Sequence, residues 1–313
     1  MTTMKVTSAT KRVISWAFLP LLSWASAADA QELVTVGWNL ESGGARIQSI
    51  GSRVSNFQGV DLWGFSEVQE TWAESLEDFA AQGESATYDG ILGTTGGADR
   101  LLIVYNTDKV DLVSYEELHS MNPQNRVRSP LVATFTIRGS GRQFKFMVNH
   151  LYRSNPQARI EQSTQLNAWG ASQSLPVIAV GDYNYDWKVV GGETDHDQGY
   201  DRITTGDVFR WVRPSVLAQT QYSTSFAPSV LDFVFIADGV SALTGASEIV
   251  VVAGDFPDND DTPDHRPVLA TLQIGETSPE PSPTPTKQEL LARIQTLERE
   301  LLGLRQTVES MPD

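Results

Sequence analysis

The 313-residue chain contains no cysteine. Disulfides, thiolate nucleophiles and cysteine-ligated zinc are therefore excluded. Any metal must sit on oxygen ligands or on the four histidines, His119, His150, His196 and His265. Positive charge is also scarce, with 23 Lys and Arg against 39 Asp and Glu and a formal net charge of −16. Such a surface repels polyanions at long range, which argues against a tight binder that neutralises many phosphates. It leaves room for an enzyme that holds one phosphate through a bound cation. Long apolar runs are missing too. The N-terminal stretch 13–25 is broken by Pro20 and is short of the roughly 20 residues that a membrane span needs.

That stretch follows Lys5, Lys11 and Arg12, and precedes two small-x-small sites, Ala25-Ser26-Ala27 and Ala28-Asp29-Ala30. This is the pattern of a secretory leader over residues 1–30, cleaved after Ala27 or Ala30, which leaves no stable membrane span. Export without cysteine points to a bacterial protein, secreted or periplasmic.

With 40% hydrophobic and 20% charged residues, the rest can build a sizeable core. Residues 31–275 read as one domain. Apolar runs at 33–38, 101–105, 131–137, 144–148, 176–180, 231–236, 249–252 and 268–272 predict strands. Helices are expected over 71–81 and from the Asn155-Pro156 start to about 171, where Asn caps and Pro takes the first helical position. Strands with interspersed helices imply a layered α/β architecture. Residues 276–286 then form a Pro-rich, semi-rigid linker. Beyond it, Leu290, Leu297 and Leu304 interleave with Ile294, Leu301 and Val308 as an a/d heptad seam. Residues 287–309 are therefore expected to be a coiled-coil helix that makes the chain a homo-oligomer, dimer or trimer.

The chemistry lies at the ends of the apolar runs. Asn39 ends VGWN, Glu67 ends DLWGFSE and His150 ends FKFMVNH. Asp182 and Asn184 end VIAVGDYN, Asp232 opens its run, and Asp264-His265 precede the last one. Strand ends hold side chains on a rigid scaffold while letting them reach a cleft.

In this order the segments resemble the endonuclease/exonuclease/phosphatase superfamily, in its DNase I-like and exonuclease III-like forms, from Val34 to about Leu272. Asn39 matches the first-strand Asn, and Asp61-Leu62 with Glu67 match D-[IL]-x-x-x-Q-E. His150 matches the strand-end His, followed by Arg159 and Gln162 as R-x-x-Q. Gly181-Asp182-Tyr183-Asn184 match G-D-F-N, Asp232 matches the Asp of R-[IL]-D-Y, and Asp264 to Val268 match S-D-H-x-P-V. Ser66 and Pro263 depart from the pattern, and neither removes a ligand or a base.

The resemblance implies a four-layer α/β/β/α sandwich of two packed mixed sheets. It implies a divalent-metal phosphoesterase, with Glu67, Asp264 and Asn39 holding Mg²⁺ or Mn²⁺. His265 is the expected base, oriented by Asp232. Asp182 and Asn184 would orient water, and His150, Asn184 and Arg128 would bind the phosphate. Arg128-Ser129-Pro130 resembles an Arg-x-Pro segment that approaches the nucleic-acid backbone, and Arg100 is a weaker candidate. The acidic loops 194–201 and 255–264 could hold a structural Ca²⁺. A secreted DNase I-like endonuclease with nucleic acid as substrate is the leading reading. A sphingomyelinase-like lipid phosphodiesterase, with Phe226 and Trp211 in candidate membrane loops, is an alternative. So are an inositol or small-molecule phosphomonoesterase and a non-catalytic coiled-coil module.

Overall fold

The computed structural model describes residues 31–277, apart from positions 83, 85, 240 and 257–260. The expected leader, nearly all of the linker and the coiled-coil segment lie outside the described residues. In chain order the strands are β1 (Gln31–Asn39), β2 (Leu62–Val68), β3 (Tyr88–Leu92), β4 (Arg100–Asn106), β5 (Val110–Glu117), β6 (Leu131–Ile137), β7 (Gln143–His150), β8 (Val177–Lys188), β9 (Arg210–Trp211), β10 (Ser229–Ala237), β11 (Ser241–Ile249) and β12 (Val268–Thr277). The helices are α1 (Ile47–Val54), α2 (Ala73–Gln82), α3 (Pro156–Ala171) and α4 (Gln198–Ile203).

Two six-stranded sheets, ordered β11-β12-β1-β2-β4-β3 and β5-β6-β7-β8-β10-β9, pack face to face. Each contains one parallel pair joined through a helix, β1-α1-β2 in the first and β7-α3-β8 in the second, and its other pairings are antiparallel. Helices α1 and α2 cover the outside of the first sheet through Ile50, Val54, Leu76 and Ala80, packed with Trp38, Trp63 and Phe65. Helices α3 and α4 cover the second, where Tyr183, Tyr185 and Tyr200 meet Phe233 and Phe235. This is the expected four-layer sandwich of mixed sheets.

The two parallel pairs end side by side. In the first, Asn39 lies opposite Ser66, next to Glu67. In the second, His150 lies opposite Asp182. Gly37 and Gly64, paired neighbours just before these ends, let the sheets touch through backbone. A Cβ on Gly64 would overlap Val180 and approach Val148 Cγ2 to 2.9 Å, and one on Gly37 would reach Val180 Cβ at 3.0 Å. Glycine at that seam draws the ends of both sheets into one place.

The expected strand at 249–252 is corrected. The ninth residue of β11 is Ile249, paired with Val268, and beyond it one further bond, from the Val250 N–H to the Pro267 carbonyl at 2.9 Å, ends the pairing. The next partner, Pro267, has no N–H to donate, and Val251 and Val252 turn out to solvent. The last strand runs past the expected domain end at 275, to Thr277. Among the described residues, no helix is long and apolar enough to cross a membrane.

Candidate active site

Backbone irregularities aim the site residues. Between Phe65 and Val68 the β2–β4 register shifts, and Glu67 sits in this bulge at φ 53°. A second shift separates Val230 from Asp232, opposite the segment of β8 where Asn184 has φ 54°. Left-handed conformations at non-glycine residues are costly and concentrate where a side chain must be re-aimed. Gly181 precedes Asp182 at φ 137°, and a Cβ there would collide with the Asn149 carbonyl oxygen. Only glycine lets β8 pass β7 so closely.

The chosen residues meet. Asn39 Nδ2 donates to Glu67 Oε1 at 3.2 Å and to Asp182 Oδ2 at 3.1 Å, joining the two sheets. His150 lies between the same carboxylates, with Nδ1 3.7 Å from Glu67 Oε1 and Nε2 3.5 Å from Asp182 Oδ2. His265 Nδ1 is 2.7 Å from Asp232 Oδ2. Its other nitrogen, Nε2, lies 3.8 Å from both Asp182 Oδ2 and Asp264 Oδ1. The Asn184 backbone N–H donates to Asp182 Oδ1 at 2.9 Å, and its Nδ2 donates to the Leu151 carbonyl at 3.3 Å. Arg128 Nη2 lies 4.0 Å from Glu67 Oε1 and 3.6 Å from Asp99 Oδ2. Every residue chosen for the site thus belongs to one cluster.

Charge explains the protonation states. Four carboxylates share the site with Arg128 and two imidazoles. Burial, and then Asp232 and Glu67, push the Asp182 carboxyl up to about 7 against the opposing pull of His265 and Asn39. Burial disfavours charge on His265, but Asp232, Asp182 and Asp264 more than reverse this and raise its pKa to about 10. Burial, reinforced by Arg128, His265 and Arg153, holds His150 well below the usual imidazole range, so it is neutral. His150 Nδ1 and Asp232 Oδ1 are buried without a hydrogen-bond partner, as expected where another species is to be received.

Hard oxygen donors, negative charge in excess of the nearby cations and an orphaned imidazole nitrogen fit a divalent cation. The only trio of close ligand atoms among the described residues is Asp182, Asp232 and His265. The short His265–Asp232 bond marks that pair as a dyad, so the oxygen-rich Glu67 side is the better seat for an ion.

Arg159 and Gln162 are scaffold. Arg159 donates to the carbonyls of Tyr152 and Arg153 at 2.7 and 2.9 Å, and Gln162 Oε1 accepts from the Tyr152 N–H at 2.9 Å, fixing the loop after His150. Other supports carried no sequence signal. Gln221 Nε2 donates to Asp264 Oδ2 at 2.9 Å, and the Asp264 N–H donates to Glu41 Oε2 at 2.9 Å. Trp38 Nε1 donates to the His265 carbonyl at 2.9 Å. Asp99 steers Arg128 by accepting from its Nε, through the backbone carbonyl, at 3.2 Å.

Other candidates have partners of their own. Arg100 pairs with Glu70 at 3.0 Å and donates to the Gly97 carbonyl at 3.2 Å. Trp211 packs against Trp187 and Phe233 rather than standing in a membrane loop. In 194–201, Asp197 pairs with Arg159 and accepts from the Gly199 N–H, and Asp201 pairs with His196. Asp255 in the other loop is gripped by Arg266 at 2.7 and 3.0 Å. Positions 257–260 of that loop lie outside the described residues.

No curated protein matches the sequence. Solved structures do match the fold. An endonuclease/exonuclease/phosphatase family protein from Bacteroides thetaiotaomicron superposes with a TM-score of 0.60 at 18% identity, covering 79% of this chain and 99% of that one. A mannosyl-6-phosphatase of the same species gives 0.58 at 19%, covering 77% and 99%. D. rerio TDP2 complexed with single-strand DNA product gives 0.60 at 15%, covering 77% and 98%. The sequence itself matches the model of the Endonuclease/Exonuclease/phosphatase family over residues 36–253. With that match over most of the chain and the converging strand ends, the chain belongs to the endonuclease/exonuclease/phosphatase family, as a metal-dependent phosphoesterase.

Proposed function

We propose that the protein is an exported phosphodiesterase, secreted or periplasmic, that acts as a DNase I-like endonuclease on nucleic acid with Mg²⁺ or Mn²⁺. The observation that carries this reading is the direction of His265. Its Nδ1 is committed to Asp232, so Nε2 is the nitrogen left to face Asp182, Asp264 and the cleft. The carboxylates that raise His265 to about 10 are those a bound cation would neutralise; with the cation in place the ring would be neutral, take the proton of an attacking water at Nε2, and Asp232 would steady the imidazolium that results. Asp182 and Asn184 orient the water. His150 and Arg128 donate to the phosphoryl oxygens from fixed positions, where preorganised donors are worth most. Glu67, with Asn39 and Asp264, would hold a divalent cation, which would supply Lewis-acid stabilisation of charge on the phosphoryl group.

Few cations face the cleft, which suits one reacting phosphate rather than a polyphosphate. TDP2 bound to a DNA product is a precedent for nucleic acid on this fold, and the mannosyl-6-phosphatase is a precedent for a monoester. The expected leader supports export, and the heptads of 287–309 support a homo-oligomer. The purified protein should nick plasmid DNA with Mg²⁺ or Mn²⁺, and EDTA should abolish the nicking. Release of phosphate from sugar phosphates, or of headgroups from sphingomyelin, without nicking would reject the endonuclease reading.

A further inference from the structure

A cleft of about 350 Å³ opens beside Asn184 and Asp264. Arg153 forms part of one wall, exposed, on the loop that Arg159 and Gln162 pin in place. The segment from Gln219 to Ser229 forms another part of the lining. That segment is tied to both members of the dyad. Gln221 bridges to His265, and the Tyr222 N–H donates to the Asp264 carbonyl at 2.8 Å. Thr220 Oγ1 accepts from the Leu231 and Asp232 N–H groups at 2.8 and 3.2 Å.

Past Tyr222 the chain turns. Ser223 Oγ accepts from the Ser225 and Phe226 N–H groups at 3.2 and 3.1 Å, which closes the turn and holds Phe226 at the cleft lip. Phe226 is 75% exposed, the most exposed aromatic among the described residues. A phenyl ring left in water forgoes its burial. Its neighbours, Ser223, Thr224, Ser225, Ala227, Pro228 and Ser229, are small or polar, so the ring is not part of an apolar patch of the kind that docks a protein or enters a lipid surface. A lone ring and an exposed guanidinium lining the same cleft suit a ligand with a flat π-face and a phosphate.

We propose that Phe226 and Arg153 form a subsite for the nucleotide that flanks the scissile phosphate on one side. Phe226 stacks on the base and Arg153 contacts the next backbone phosphate. Every base has a π-face, so the subsite raises affinity without reading sequence. Because the 219–229 wall is tied to Asp232 and Asp264, stacking there also sets the register of the reacting phosphate against His265. The inference rests on the nucleic-acid reading.

The test uses the full-length enzyme with Mn²⁺ and short DNA oligonucleotides that each contain one cleavable phosphodiester. The nucleotide on either side of it carries a base or is abasic. In the native protein, removing the base on one side should raise KM about tenfold, and removing it on the other side should do little. Phe226→Ala should bring the KM ratio of abasic to base-bearing substrate close to one, and Phe226→Trp should restore it. Arg153→Gln should raise KM for every oligonucleotide and reduce the salt slope by about one. An unchanged ratio in Phe226→Ala would overturn the subsite, as would loss of binding to phosphatidylcholine vesicles in that variant where the native protein binds them. A native protein that hydrolyses a small chromogenic diester but no oligonucleotide would instead remove the nucleic-acid reading, and this subsite with it.

Discussion

Asp232 Oδ2 lies 2.7 Å from His265 Nδ1, and both side chains are 2% exposed. The contact fixes which ring nitrogen carries the bound proton and which faces the water. Asp232→Asn would keep the shape but present an amide to the ring, favouring the wrong tautomer. Turnover of a chromogenic phosphodiester should fall by about 10²- to 10⁴-fold, with little change in KM. His265→Ala should cost at least as much. Unaltered circular dichroism would show that the fold is intact, and near-native turnover in either variant would remove the dyad from the chemistry.

The same pair gives a pH signature. With His265 raised to about 10 in the folded protein, its stabilising contribution is complete below about 6.5, the unfolded value, and is lost as pH climbs toward 10. Asp182, raised to about 7, also binds its proton more tightly when folded, so its contribution is lost as pH rises through about 7. In EDTA, Tm should therefore fall between about pH 7 and pH 9. Cations that take over the charge compensation should flatten the slope and release protons on binding at about pH 8, measurable by calorimetry in buffers of different ionisation enthalpy. A Tm in EDTA that rises over that window would contradict the assignment.

Glu67 is a direct handle on the cation. Glu67→Gln keeps the carbonyl that can accept from Asn39 Nδ2 but removes the charge. The apparent affinity for Mg²⁺ or Mn²⁺, read from activity against metal concentration, should drop by about 10- to 100-fold. Native affinity in the variant would move the metal elsewhere in the cluster.

Much of this was legible in the sequence, for reasons that differ by residue. The run at 131–137 coincides with β6, and the Asn155-Pro156 start coincides with α3, whose cap accepts from the Ala158 N–H at 3.2 Å. Both signals are local. Strand β5 was not legible, because all but its ends is exposed and it carries no apolar run. Helix α1 has neither a side-chain cap nor a favourable residue at its interior Gly51, which instead admits the Phe79 ring. In the site, polar residues ending buried runs stood out singly. The Asn39–Asp182 bond spans 143 residues and two sheets, and Gln221–Asp264 depends on how a loop folds back. Such pairings follow from sheet packing, which no local pattern encodes.

Gly181 should be among the least replaceable residues. At φ 137° with the Asn149 carbonyl against its Cα, an alanine would meet both backbone strain and a collision. Gly181→Ala should lower stability by about 3 kcal/mol or more and disturb the pairing of His150 with Asp182. Loss of activity should accompany a lower Tm in thermal unfolding, and a variant with native Tm would show that β7 and β8 can separate at no cost.

Deletion of residues 278–313 separates assembly from chemistry. The cut falls after the last residue of β12, so the sheet keeps its β1 and β11 partners. The six heptad positions from Leu290 to Val308 are lost. A helix of that length is marginal alone in water, and its a/d seam is stable only against another copy. Light scattering should give a dimer or trimer mass for the full chain and a monomer mass for the truncated one. Turnover of a small chromogenic diester per subunit should be the same in both, because every site residue lies between Asn39 and His265 and none belongs to the deleted segment. Equal subunit numbers before and after the cut would refute the heptad assignment, and a loss of turnover with a preserved fold would place a contribution to the site in the C-terminal segment.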